Sequence, residues 1–219
     1  QAVRSIMEGN NVLYISLEMA EDKIAQRFDS IMSLIPQRKL KEPTGQLDLH
    51  ERLAIFQNEF DGRLVIKEFP TSTATVNTVR ALLTQLANYE EFQPDVIIVD
   101  YLELLRPTRE IQHEYLAQQR IAEELRGLAM ENANLVWTAT QTNRMGRMVK
   151  VITDAELGDS YGKIRTCDFA ISLNQKEEEF DEGLMRAYVM KSRNGRPRFI
   201  VPMTVDYSTL RMSEDALDE

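Results

Sequence analysis

Pro94-Asp95-Val96-Ile97-Ile98-Val99-Asp100-Tyr101 is the stretch on which the fold turns: four consecutive β-branched apolar residues between a proline and an aspartate. A short run with no polar alternation fits a strand covered on both faces, the usual state of a parallel strand. The residues on either side repeat the theme. Val12 to Leu17 (VLYISL) is a second buried strand ending at Glu18, and Ile24, Phe28, Ile31 and Ile35 then mark a helix that Pro36 stops. Lys39 to Gly45, with Pro43, reads as a loop before a helix carrying Leu49, Leu53, Phe56 and Phe60. Leu64 to Lys67 is a strand, and Thr75 to Tyr89 is helical by Val76, Val79, Leu83 and Leu86. Beyond the central run, Ile121, Leu125 and Leu128 share a helix face, and Leu135 to Thr140 (LVWTAT) is another strand.

Strands alternating with helices long enough to cross over predict an α/β fold with a doubly wound, mostly parallel sheet. Residues 141–167 lack a period and contain three glycines, so they read as a long loop. Phe169 to Asn174, Leu184 to Ser192 and Phe199 to Asp206 follow as strands, the last two joined by Asn194-Gly195-Arg196-Pro197, and are expected as antiparallel additions at one sheet edge. Ser213 to Glu219 is an acidic tail, expected to fray. No repeat or linker interrupts the chain, so residues 1–219 read as a single domain. Gln1 to Asn10 looks like the end of a helix closed by Gly9 with no start signal, and the domain is expected to begin upstream of Gln1.

Composition bounds the function. The 219 residues are 43% hydrophobic and 28% charged with a net charge of -9, which excludes collagenous and low-complexity classes and disfavours a protein that coats nucleic acid with its whole surface. A local basic loop stays open. Cys167 is the single cysteine and cannot form an internal disulfide, which points to a reducing compartment. No apolar stretch is long enough for a membrane helix, and no membrane partner is expected. His50 and His113 stand far apart without a nearby cysteine, so no zinc-type spacing exists.

In an open α/β sheet, ligands sit outside the carboxyl ends of the strands. Four strand ends carry unusual polar groups. Asp100 ends the central run, the position from which nucleotide hydrolases present a carboxylate to Mg²⁺; an Asp there also caps loops. Glu18 could orient or deprotonate an attacking water, or could simply favour the start of the next helix. Gln141 is a donor and acceptor suited to a phosphate oxygen, or an ordinary loop amide. Lys191 and Arg193, two residues apart, project from one face of an extended chain and could reach phosphates in this subunit or a neighbour, or be solvated edge charges. In the unperiodic region, Arg144, Arg147, Lys150, Lys163 and Arg165 could track a phosphate backbone, with Arg106 and Arg109 a weaker second candidate.

Together these residues resemble a known set. Tyr14-Ile15-Ser16-Leu17-Glu18-Met19 is similar to the SLEM strand of DnaB-type replicative helicases, and Thr44-Gly45-Gln46-Leu47 to their TG-containing segment. Val99-Asp100-Tyr101-Leu102-Glu103-Leu104 resembles their Walker B strand, Gln141-Thr142-Asn143-Arg144 the SQLNR segment, and Lys191-Ser192-Arg193-Asn194-Gly195 the KxRNG hairpin. The resemblance implies a RecA-like P-loop NTPase fold and an ATP-driven motor acting on single-stranded DNA as a homo-hexamer. It further implies that ATP and Mg²⁺ are used, Asp100 holding the metal through water and Glu18 serving as catalytic base. Gln141 would sense the γ-phosphate, and Lys191 and Arg193 would reach a neighbour's nucleotide. Primase and a helicase loader are implied partners, and the cytoplasm of a bacterial cell or virus-infected host is the implied location. Two departures stand out. G-x-x-x-x-G-K-[ST], the phosphate loop, is absent from the 219 residues, so this polypeptide alone is expected to bind ATP poorly. Glu156-Leu157-Gly158-Asp159-Ser160 lacks the arginine of the family's DLRESG-type segment. The alternatives are a RecA- or KaiC-like ATPase in recombination or regulation, and a non-catalytic scaffold subunit.

Overall fold

The computed structural model describes residues 1–141 and 161–214. They belong to two compact units, Gln1–Thr140 and Gln141–Glu219.

The first unit is built on a four-stranded parallel sheet of β1 (Val12–Ser16), β2 (Leu64–Glu68), β3 (Val96–Asp100) and β4 (Leu135–Thr138), in the order β2-β1-β3-β4. Both faces are covered, which is why β1 and β3 read as unbroken apolar runs. On one face Leu13, Ile15, Ile97 and Val99 pack with Val79 and Leu86 of α4 (Val76–Tyr89) and with Ile121, Leu125 and Leu128 of α5 (Glu114–Asn132). On the other, Val12 and Val96 meet Ala2 and Ile6 of α1 (Ala2–Met7) and Ile24 and Phe28 of α2 (Glu21–Ser33). The doubly wound arrangement follows directly from this two-sided burial.

Local chemistry sets the helix ends. The α4 helix opens on Thr75, whose hydroxyl accepts from the Thr78 backbone while the Thr78 side chain accepts from the Thr75 N–H, a reciprocal capping box. The α2 helix stops at Ser33 because Leu34 turns left-handed (φ 61°) two residues before Pro36. The expected loop through Pro43 is shorter than predicted: α3 spans Pro43–Glu59 with Pro43 in its first turn, where a missing N–H costs nothing, after a single 3₁₀ turn at Lys39–Lys41. Gly45 is needed there, since a Cβ would run into the Lys39 carbonyl oxygen.

The second unit contains a four-stranded antiparallel sheet, order β5-β6-β7-β8, formed by β5 (Phe169–Asn174), β6 (Leu184–Ser192), β7 (Ile200–Asp206) and β8 (Arg211–Glu214). The three expected late strands are all present. They pair with one another and with β8 as a sheet of their own; among the described residues none is a hydrogen-bonded edge addition to the parallel sheet. Ser213 and Glu214, expected in a frayed tail, pair with Thr204 and Met203 in β8, and residues 215–219 lie outside the described residues. Tyr161–Thr166, within the expected loop, form a short helix, α6, and Glu177–Asp181 form α7.

Candidate functional site

Parallel register places the strand-end residues of the first unit side by side. Ser16, the last residue of β1, is flanked by Asp100 of β3 and by Glu68 of β2. The ladder continues one residue further, with the Leu17 N–H donating to the Asp100 carbonyl (3.0 Å) and the Phe69 N–H to the Ser16 carbonyl (3.0 Å). The chain then turns sharply: the Ser16 hydroxyl donates to the Met19 carbonyl (2.6 Å) and accepts from the Met19 N–H (3.1 Å). That closed turn carries Glu18 outward, exposed, beside the end of the neighbouring strand that bears Asp100.

Asp100 is half-buried and oriented. Its Oδ2 accepts a hydrogen bond from the Tyr14 hydroxyl at 2.6 Å, while Oδ1 takes none among the described residues. Tyr14 is fixed in turn by an edge-on contact with Phe28, ring centroids 5.4 Å apart. Burial raises the Tyr14 phenol pKa well above its ordinary value, the hydrogen bond to Asp100 and its charge add to that, and Arg27 opposes them. Tyr14 therefore stays a donor at physiological pH. Tyr101 feels the same field: partial desolvation raises its pKa first, then the carboxylates of Glu18, Glu103 and Asp100. Thr140 donates to Glu103, and the Leu102 N–H donates to the Ala139 carbonyl, tying the segments beyond β3 and β4 together.

This end of the sheet gathers carboxylates, a chemistry that asks for a cation. Among the described residues no cluster of three His, Cys, Asp or Glu forms a protein cage for a metal. A dedicated cage is not what Mg²⁺ uses; it keeps several waters and takes one or two carboxylates plus substrate phosphates. Asp100, with one oxygen held by Tyr14 and the other open, fits that role. The β4 strand ends at Thr138, earlier than expected, and Gln141 follows three residues later, exposed.

In the second unit Lys191 and Arg193 reach one segment, as their spacing predicts, but that segment belongs to their own chain. The Lys191 ammonium donates to the carbonyls of Ile164 (3.0 Å) and Arg165 (2.7 Å) in the last turn of α6, where a helix presents unsatisfied acceptors. The Arg193 guanidinium pairs with Asp168 at 2.8 Å, and its backbone N–H donates to the Asp168 carbonyl (2.9 Å). Both members of that ion pair are about half exposed.

The DNA candidates divide. Arg144, Arg147 and Lys150 lie outside the described residues. Arg165 is exposed on α6, whereas Lys163 is only 5% exposed, too buried to offer an open contact to a phosphate. Arg106 and Arg109 are exposed. His50 and His113 are exposed, His50 Nδ1 lying 2.7 Å from the Gln46 carbonyl within α3. No described helix is long and apolar enough to cross a membrane.

Sequence reasoning missed Tyr14 as the residue that orients Asp100, because nothing links positions 14 and 100 until the β1–β3 register is known. It also missed Asp168 and the α6 carbonyls as partners of the hairpin cations. A carboxylate just before a strand that pairs with the cationic one was the available signal.

Comparison with known proteins supplies a family. Residues 1–211 match the DnaB-like helicase C terminal domain family. Over 181 residues, 78% of the chain, the sequence is 34% identical to a DnaB-like replicative helicase of Enterobacteria phage T4. Over 194 residues, 86% of the chain, it is 25% identical to a probable plasmid replicative DNA helicase of Chlamydia psittaci. The match spans 37% and 42% of those two relatives' lengths. Among solved structures, one ATPase domain superposes with a TM-score of 0.80 at 17% identity, covering 97% of this chain and 77% of that one. A DnaB-like replicative helicase, determined with its interactions with primase, gives 0.78 at 17% identity, covering 95% of this chain and 51% of that one. At that identity the superpositions speak for the fold, which is RecA-like.

Proposed function

The chain belongs to the DnaB-like helicase C-terminal domain family, and on that premise we propose that it is the ATP-hydrolysing motor of a ring-forming replicative helicase that moves on single-stranded DNA. The observation that carries the reading is the register of β1 against β3, which sets Asp100 beside Ser16 and projects Glu18 from the next turn. Glu18, exposed and close to the open oxygen's strand end, accepts the proton of the attacking water. Tyr14 holds one oxygen of Asp100 and leaves the other available to a hydrated metal. Bound Mg²⁺ would neutralise charge on the terminal phosphates, and Asp100 is the residue that would hold it.

The strand-end carboxylates of the first unit repel phosphate, so cations must come from elsewhere. Lys191 and Arg193 supply them by exchanging their own-chain partners for the γ-phosphate of a neighbouring copy, which makes hydrolysis a property of the assembly. Gln141 contacts the same phosphate. Arg144, Arg147, Lys150 and Arg165 would contact DNA phosphates, and a homo-hexamer presenting one such segment per subunit would bind strands in a salt-dependent, sequence-independent way. Primase and a loader are the protein partners of this reading, and the cytoplasm of a bacterial or virus-infected cell is its setting.

The test is ATP hydrolysis, with and without single-stranded DNA, by the chain extended upstream through a G-x-x-x-x-G-K-[ST] loop. Hydrolysis stimulated by DNA and abolished in Glu18→Gln and Asp100→Asn supports the motor. An extended chain that binds neither nucleotide nor DNA contradicts it and favours a scaffold.

A further inference from the structure

Between α2 and the 3₁₀ turn lies a cleft of about 370 Å³ lined by Lys23, Arg27, Arg38 and Lys41 together with the amides of Gln26 and Gln37. No carboxylate lines it, in a chain whose net charge is -9. Lys23 has one weak neighbour, Asp22 at 3.5 Å, while Arg27, Arg38 and Lys41 make no hydrogen bond or ion pair among the described residues. The four are arranged as two like-charge pairs, Lys23 with Arg27 one helical turn apart and Arg38 with Lys41 across the 3₁₀ turn. Such pairs oppose the local structure unless an anion sits between them.

We propose that this cleft is a second anion site that binds phosphate groups, distinct from the nucleotide site. Two guanidinium forks match phosphate oxygens bidentately, and the lysines add mobile point charges and the glutamines neutral donors. The remaining lining is Met19 and Leu40, and with four cations converging, a phosphate group, which offers three oxygens and up to two charges on one atom, satisfies more of them than the single charge of a peptide carboxylate does. The volume suits a short polyphosphate or a few backbone phosphates of a strand passing through. Met19 directly follows Glu18, so an occupant would lie next in sequence to the proposed catalytic turn. The inference does not rest on the motor reading, because no phosphate loop is needed for it.

The experiment titrates tripolyphosphate, an oligothymidylate and an oligoglutamate of equal charge into the 219-residue chain by calorimetry, with thermal shift alongside. Tripolyphosphate is expected to bind and to raise Tm, and Arg27→Gln/Arg38→Gln to weaken it by about tenfold or more, as lost charge-assisted contacts do. Both arginines are exposed and unbonded, so the variant should keep its fold by circular dichroism; Lys23→Gln/Lys41→Gln provides an independent variant with the same expected direction. Arg4→Gln/Arg211→Gln removes equal charge elsewhere and should change nothing. Oligothymidylate binding with the same dependence on the arginines identifies strand phosphates as the source, and binding confined to tripolyphosphate identifies a free polyphosphate or nucleotide. No tripolyphosphate binding, an equal loss in the control variant, or oligoglutamate binding as tightly would overturn the proposal.

Discussion

Glu18 and Asp100 in the first unit and Lys191 and Arg193 in the second all stand at strand ends, but they are held in opposite ways. The carboxylates stand on a rigid frame: β1 has neighbours on both sides and is buried on both faces, the Ser16 hydroxyl closes the turn carrying Glu18, and the Tyr14 hydroxyl holds one oxygen of Asp100. Glu18 is exposed, and Asp100 keeps one oxygen without a hydrogen bond among the described residues. The cations are positioned by side chains, which end on the α6 carbonyls and on Asp168. A half-exposed ion pair of that kind is worth little and is easily traded. One region is thus preorganised and the other exchangeable, which suits a site whose fixed half belongs to one subunit and whose movable half is lent by the next.

The sharpest way to break the comparison is Arg193→Ala. If Arg193 acts on a neighbour's nucleotide, DNA-stimulated hydrolysis by the extended chain falls by about 10³ to 10⁵, while urea unfolding of the chain moves by no more than about 1 kcal/mol. A large stability loss with modest loss of rate would make Arg193 structural. Glu18→Gln comes next, with an expected rate loss of about 10² to 10⁴ and nucleotide binding retained; equal losses in binding and rate would remove it from the role of base.

Tyr14→Phe sharpens the preorganised half. Losing the hydrogen bond to Asp100 should cost about 1 kcal/mol in chemical denaturation, and metal-dependent hydrolysis should require more Mg²⁺. The pH sign is also fixed. A phenol whose pKa is raised by folding keeps its proton in the native state longer than in the unfolded chain. Its contribution is whole below the ordinary phenol value of about 10 and drains away as pH rises from there through the folded value. The parent chain should therefore lose Tm more steeply than Tyr14→Phe above about pH 10, and an identical slope would contradict the assignment. The smallest effect belongs to Asp168→Asn: stability falls by at most about 1 kcal/mol, and nuclear magnetic resonance should show the Arg193 side chain released. A guanidinium that stays fixed would mean other partners hold it.

The same contrast explains what could be read without coordinates. Apolar runs announce strands, so β1, β3, β5 and β6 lie where those runs place them, and Glu18, Asp100 and Lys191 fall out as the polar residues that end or close the runs. Exposed or very short elements leave no such trace. All four β8 residues are exposed and α6 has six, too few to establish a helical period. Pro43 looks like a loop marker in sequence, yet a proline in the first turn starts a helix as readily as it ends one. Partnerships across the fold were the least legible: Tyr14 with Asp100 depends on register, and Arg193 with Asp168 on the pairing of β5 with β6. The antiparallel strands were expected at the edge of the parallel sheet because pattern gives a strand's existence and not its neighbour.

The most direct test of the account mixes two inactive proteins. Extended chains carrying Glu18→Gln and Arg193→Ala are assayed alone and together for single-strand-stimulated ATP hydrolysis. If the fixed carboxylates and the exchangeable cations of one active site come from different subunits, each variant alone is inactive and the mixture regains part of the parent rate, through interfaces that pair an intact Glu18 with an intact Arg193. A mixture as inactive as its components, with mixed assemblies demonstrated to form, would place both halves in one subunit and contradict the account.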